Sequence, residues 1–211
     1  MTFTKPFLAI LFVFSCHSMF SQEYVEVKDA TAIKKKITEA SQKFNSLQAD
    51  FLQEKNMSML SEPTVSKGKF CYKKENKVRL EYTHPTKSVL VLNDGKMMMN
   101  DGKKTTQLDI HRSRFFQQFN NIITGSVNGQ LFSSKDFSLK FFESKSQIKI
   151  ELAPTGKSMK NFLNRIVMII DKRDFTAARL EMHEPSGDHT ALTFLHKLVN
   201  SPLQDSLFTL R

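Results

Sequence analysis

GKFCYKKENKVRLEY, residues 68–82, is the stretch that decides the fold. Phe70 and Tyr72 alternate with Lys69, Cys71 and Lys73, and Val78, Leu80 and Tyr82 alternate with Lys77, Arg79 and Glu81. A period of two marks a strand with one face in a core and the other in water. Upstream, Leu47, Ala49 and Phe51 alternate with Gln48, Asp50 and Leu52 in the same way. Downstream, Pro85 marks a break and Ser88 to Leu92 is a continuous apolar strand. Asp94-Gly95 and Asp101-Gly102 form hairpin-type turns around Met97, Met98 and Met99.

The second half repeats the pattern. Phe137, Leu139 and Phe141 alternate, as do Ile148, Ile150 and Leu152, and Ile166 to Ile170 is a buried run ending at Asp171. Ala178, Leu180 and Met182 lead into the turn Glu184-Pro185-Ser186-Gly187-Asp188, and Leu192 and Phe194 lead out of it. Two segments change period. Ala30, Ile33, Ile37, Ala40 and Phe44 recur at helical spacing with Asp29 as N-cap, and Phe115, Phe116, Phe119, Ile122 and Ile123 form a second apolar stripe ending at Gly125. One antiparallel sheet of many short strands, with one helix before it and another inserted, is an α+β domain.

The first residues belong to something else. Lys5 precedes an apolar run from Pro6 to Phe14, which fades into Ser15, Ser18 and Ser21. That order reads as a cleavable export signal, too short to span a bilayer, which takes about 20 residues. Residues 1–21 are therefore assigned to the signal and residues 22–211 to a single domain. A competing reading puts lipid on Cys16 and makes the chain an anchored acceptor. Cleavage removes Cys16, so Cys71 is left without a disulfide partner and stability must come from burial. The whole chain carries 31 Lys+Arg against 21 Asp+Glu, and losing Lys5 leaves a net charge near +9. An exported protein rarely meets nucleic acid, so no such partner is expected. An anionic membrane surface or an acidic partner is the alternative to a solvated face, which the scattered lysines suit better.

Catalytic signatures are missing. Gly125-Ser126-Val127-Asn128-Gly129 has the wrong spacing for a nucleophile elbow. Cys71 sits in an alternating strand beside lysines, with no histidine signature to make it a nucleophile. His183 and His189 face each other across a hairpin near Glu184 and Asp188, but a metal needs three or four converging ligands. No phosphate loop or dinucleotide fingerprint is present. The expectation is a protein that is not an enzyme and has no cofactor and no metal.

The succession of segments resembles the outer-membrane lipoprotein carrier family, LolA. Phe44 to Glu54 (FNSLQADFLQE) looks like that family's first strand, and Gly68 to Lys74 like its Gly-x-aromatic strand. Arg79-Leu80-Glu81-Tyr82, His84-Pro85 and Leu90 to Lys96 resemble its most recognisable block. The resemblance implies an incomplete antiparallel β-barrel, a strongly curved sheet whose concave apolar face is lidded by helices. It also implies a periplasmic carrier, expected to be a monomer, that takes acylated lipoproteins from an inner-membrane ABC-type release complex to an outer-membrane acceptor. A free lipid or lipid-linked pigment is the alternative cargo, and a secreted acyl-ester hydrolase is the alternative from another class.

Candidate cavity and lid residues are Phe51, Phe70, Tyr72, Leu80, Tyr82, Leu90, Leu92, Met97, Met99, Phe115, Phe116, Phe119, Ile122 and Ile123. Which face of the strands points inward turns on one residue of register and stays open at this point. Lys74-Glu75 stands where the family often has Arg-Pro, so Lys74 is the candidate for the lid latch. A lysine lacks the planar fork of arginine.

Overall fold

The computed structural model describes residues 23–112, 117, 120–125 and 129–210. Twelve strands form one antiparallel sheet: β1 (Val25–Glu26), β2 (Ser46–Asn56), β3 (Thr64–Lys73), β4 (Lys77–His84), β5 (Ser88–Asn93), β6 (Lys96–Asn100), β7 (Thr105–Asp109), β8 (Phe137–Glu143), β9 (Gln147–Pro154), β10 (Arg165–Asp171), β11 (Ala177–His183) and β12 (His189–Val199). Their order is β1-β8-β9-β10-β11-β12-β2-β3-β4-β5-β6-β7. β1 and β7 are edges, so the sheet is an incomplete barrel, as expected. Two strands escaped the sequence reading. β1 is two residues long, and Thr105–Asp109 carries one apolar residue, Leu108, too few for a visible period.

The order joins two local meanders, β2–β7 and β8–β12, through pairing of β12 with β2. Phe194 opposes Phe51 and Val199 opposes Leu47 across that seam. The register also settles the facing. Leu47, Ala49, Phe51, Phe70, Tyr72, Val78 and Leu80 are buried, along with Ile150, Leu152, Ile166, Met168 and Leu180. The first helix, α1 (Thr31–Gln42), buries Ile33 and Ile37. Its N-cap position is Ala30 rather than Asp29, although Asp29 still accepts the Thr31 N–H through its carboxylate at 3.0 Å. Residues 120–125 form part of a second helix, α2, which buries Ile122 and Ile123.

The opposite face of the sheet is paved with ion pairs. Arg179 bridges Glu54 and Glu181 at 3.2 and 2.7 Å, and Arg79 bonds Glu81 at 2.8 Å. Beyond β12 the chain crosses the outside of β2 to β5 as a strap. Ser46, Gln48, Lys73, Arg79 and Asn93 all bond to it, and it seats Phe208 at 0% exposure. The strap explains the continuous apolar run of β5. Leu92 belongs to the main core while Val91, also fully buried, lies outside that cluster on the strap-covered face.

Candidate functional site

An apolar cavity lies over the middle of the sheet, where the two meanders meet. Its walls are Leu47 of β2, Phe70 of β3, Leu80 of β4, Ala177 and Leu180 of β11, and Leu192 and Phe194 of β12. Phe44, just past α1, and Ile123 of α2 roof it, and Thr176 supplies its one polar wall residue. The phenyl rings of Phe70 and Phe194 pack 5.1 Å apart at 57°, and those of Phe44 and Tyr72 lie 5.7 Å apart. The space open to a water-sized sphere is about 20 Å³, room for one water.

Of the candidate residues, Phe70, Leu80 and Ile123 line this cavity. Phe51, Tyr72, Leu92, Met97 and Ile122 are buried in the adjoining core, and Tyr82 and Leu90 are half-buried against it. Phe51 packs edge-on to Tyr82 at 5.1 Å, and the Tyr82 hydroxyl donates to Gln53 Oε1 at 2.8 Å. Burial pushes the Tyr72 and Tyr82 phenols up from their ordinary pKa. Met99 departs from its expected place. It shares the alternation of Met97 but is 45% exposed, since its neighbours across the strands are half-buried Leu90 and Thr106, whereas Met97 lies beside the fully buried Leu92. Phe115, Phe116 and Phe119 lie outside the described residues, as do Ser126 and residues 1–22 with Cys16.

The expected latch is not where the structure brings barrel and lid together. Lys74 is exposed, and its side chain has no ion-pair or hydrogen-bond partner among the described residues. Its neighbour Asn76 instead shares a polar groove with Asn120, Asn121 and Thr124 of α2. Glu75 and Asn76 both have positive φ, 73° and 59°, as a tight β3–β4 turn demands. A lysine two residues earlier gives no sign of that geometry.

Phe44, Leu47, Thr176, Ala177, Leu180, Leu192 and Phe194 were not among the candidates. Leu47, Leu180, Leu192 and Phe194 alternate visibly, but the pairing of β12 with β2, which brings Leu192 and Phe194 to the cavity, joins segments about 140 residues apart. Nothing in a single sequence reports it.

The remaining chemistry is sparse. The His183 and His189 rings stack 5.2 Å apart across their hairpin, and His183 meets Glu181 at 3.2 Å. No group of three potential ligands converges among the described residues. Cys71 is half-buried, and burial raises its thiol pKa more than Arg79 lowers it, which opposes thiolate formation. No helix of the described residues is long and apolar enough to cross a membrane.

Residues 42–211 match the family model described as outer membrane lipoprotein carrier protein LolA. No curated protein matches. Among solved structures, the MucA/MucB complex of Pseudomonas aeruginosa aligns with a TM-score of 0.52 and 15% identity, over 83% of this chain and 59% of that one. The chain thus spans about three fifths of that relative's length. An uncharacterized conserved protein of Thermus thermophilus aligns with a TM-score of 0.51 and 8% identity, over 87% and 95% of the two chains. A LolA superfamily protein of Nitrosomonas europaea aligns at 0.43 and 11%, over 83% and 97%.

Proposed function

We propose, because this chain belongs to the LolA family of outer membrane lipoprotein carriers, that it shelters lipoprotein acyl chains and carries them through the periplasm from inner to outer membrane. The observation that carries this reading is the apolar cavity roofed by Phe44 and Ile123. Each methylene withdrawn from water is worth about 0.8 kcal/mol, so an acyl chain gains strongly by entering this apolar space once its roof lifts to widen it. A carrier must also release its load. A roof of short helical segments over an open-edged sheet can lift, where a closed barrel could not.

In this reading an ABC-type release complex in the inner membrane loads the cavity and an outer-membrane acceptor empties it. Nothing is hydrolysed on the way. Lys74, whose side chain has no partner among the described residues, favours a second cargo, a free acyl lipid, since it departs from the family's Arg-latched pattern. Mass spectrometry of the protein purified from its periplasm tests both. Co-purifying acylated protein supports the lipoprotein reading, and extractable lipid alone supports the second. An empty protein that also fails to release lipoproteins from spheroplasts overturns the carrier reading.

A further inference from the structure

Strand β12 breaks its own alternation beside the cavity. Leu195 pairs with Asp50 and Leu198 with Gln48, so His196 and Lys197 together oppose the single residue Ala49. That is a β-bulge, and His196 takes φ 50° to make it. Uninterrupted alternation from Phe194 would turn His196 inward and Lys197 outward. The bulge exchanges them. The His196 side chain is 82% exposed beside Asp50, and the Lys197 side chain is only 10% exposed.

The Lys197 ammonium ends on Thr176, the one polar wall residue of the apolar cavity. Lys197 Nζ donates to Thr176 Oγ1 at 2.7 Å and lies 3.0 Å from Asp174 Oδ2. The Thr176 hydroxyl, itself buried, donates to Asp174 Oδ1 at 2.8 Å. An ammonium has three N–H donors. Thr176 Oγ1 takes one, and the two Asp174 oxygens, at 3.2 and 3.0 Å, share the rest, so the longest of the three contacts is the one an incoming acceptor would displace.

We propose that Lys197, Asp174 and Thr176 form the polar end of the cargo site and bind the ester or amide carbonyl of an acyl chain whose tail fills the cavity. This rests on the carrier reading above and adds where the chain's head is held. The charge balance selects the class of head. Asp174 already neutralises Lys197, so a carboxylate arriving there meets a like charge about 3 Å from the ammonium. A neutral carbonyl needs only to displace the longer Asp174 contact, leaving the ion pair in place. Ester-linked lipid and the acylated cysteine of a lipoprotein share that carbonyl.

The experiment is displacement of N-phenyl-1-naphthylamine, whose fluorescence is unobstructed in a chain with no tryptophan. The competitors are methyl palmitate, palmitate and a dipalmitoylated cysteine peptide. Lys197→Met should weaken methyl palmitate or the peptide about tenfold while leaving the apolar dye's own affinity unchanged. The ester that responds names the source of the carbonyl. Asp174→Asn should shift preference from methyl palmitate toward palmitate. Unchanged ester affinity in Lys197→Met overturns the inference and leaves the carrier reading standing, as does an equal loss of dye and ester, the mark of a purely structural pair. A wild-type protein that binds neither dye nor ester overturns both.

Discussion

The ring of Phe51 lies across the bare α-carbon of Gly68, its partner on the next strand. A Cβ at Gly68 would come within 2.7 Å of two ring carbons and would press harder still on the Glu81 carbonyl oxygen. The pairing of β3 with β4 shifts register between Lys67 and Gly68, so backbone and ring close on the glycine together. Glycine stands here for closeness, with no unusual φ. Gly68→Ala should therefore cost about 1–3 kcal/mol by overpacking, read as a lower urea midpoint. Shortening the ring with Phe51→Leu should make the two losses less than additive, since the residues are in contact.

The roof over the cavity is tested at Ile123, which is buried against the sheet. Ile123→Asp would bury a carboxylate without a partner, so α2 should stand away from the sheet. Apolar dye binding is expected to fall at least about tenfold, and native-state hydrogen exchange should rise in residues 120–125 but not in β9 and β10.

The strap makes a separate prediction. Phe208 has no exposed surface and bonds Asn93 through its carbonyl at 3.1 Å. Phe208→Ala should cost about 3–5 kcal/mol and uncover Val91, which a drop in Tm would register. Affinity for cargo should hold in the folded fraction, because the strap lies on the face away from the cavity.

Acid should act through Asp171. Hydrogen bonds from the Arg173 guanidinium hold its carboxyl at about 2, below the usual 3.8. A depressed folded pKa contributes stability above about pH 4, and that contribution is lost as pH falls toward about 2. Arg173 is 85% exposed, so solvent screening reduces the contribution to about 1–2 kcal/mol. Asp171→Asn should lose that much at about pH 5 and only a small remnant of it at about pH 2, measured by urea unfolding at both.

The strands that could be read from the sequence were those with one wet face. Residues 68–82 alternate because lysines and arginines cover the outside of β3 and β4, and Gly68, Phe70, Tyr72 and Leu80 fall inside. Phe70 and Leu80 fall on the buried face by that alternation, whereas Ile123 shows only through the helical stripe. Met99 misled because alternation fixes a face but not a depth along the strand. Lys197 could not be found by counting, since the bulge at His196 reverses the parity on which counting relies. Thr176 and Phe194 become part of a site only through β12–β2 pairing, a property of topology rather than of any segment.

That pairing also sets an order of events. Each meander can zip from its own hairpins, but the seam needs β12, whose residues 189–199 are synthesised after all eleven other strands. Contacts that span most of the chain close slowly, because loop entropy is lost before any contact is gained. Until β12 arrives, the inner edge of β2 is a bare edge strand beside an unroofed apolar surface. The newborn chain therefore spends its most adhesive interval with its greasy centre open. A truncation anywhere within β12 should leave it in that state, half-folded and prone to aggregate.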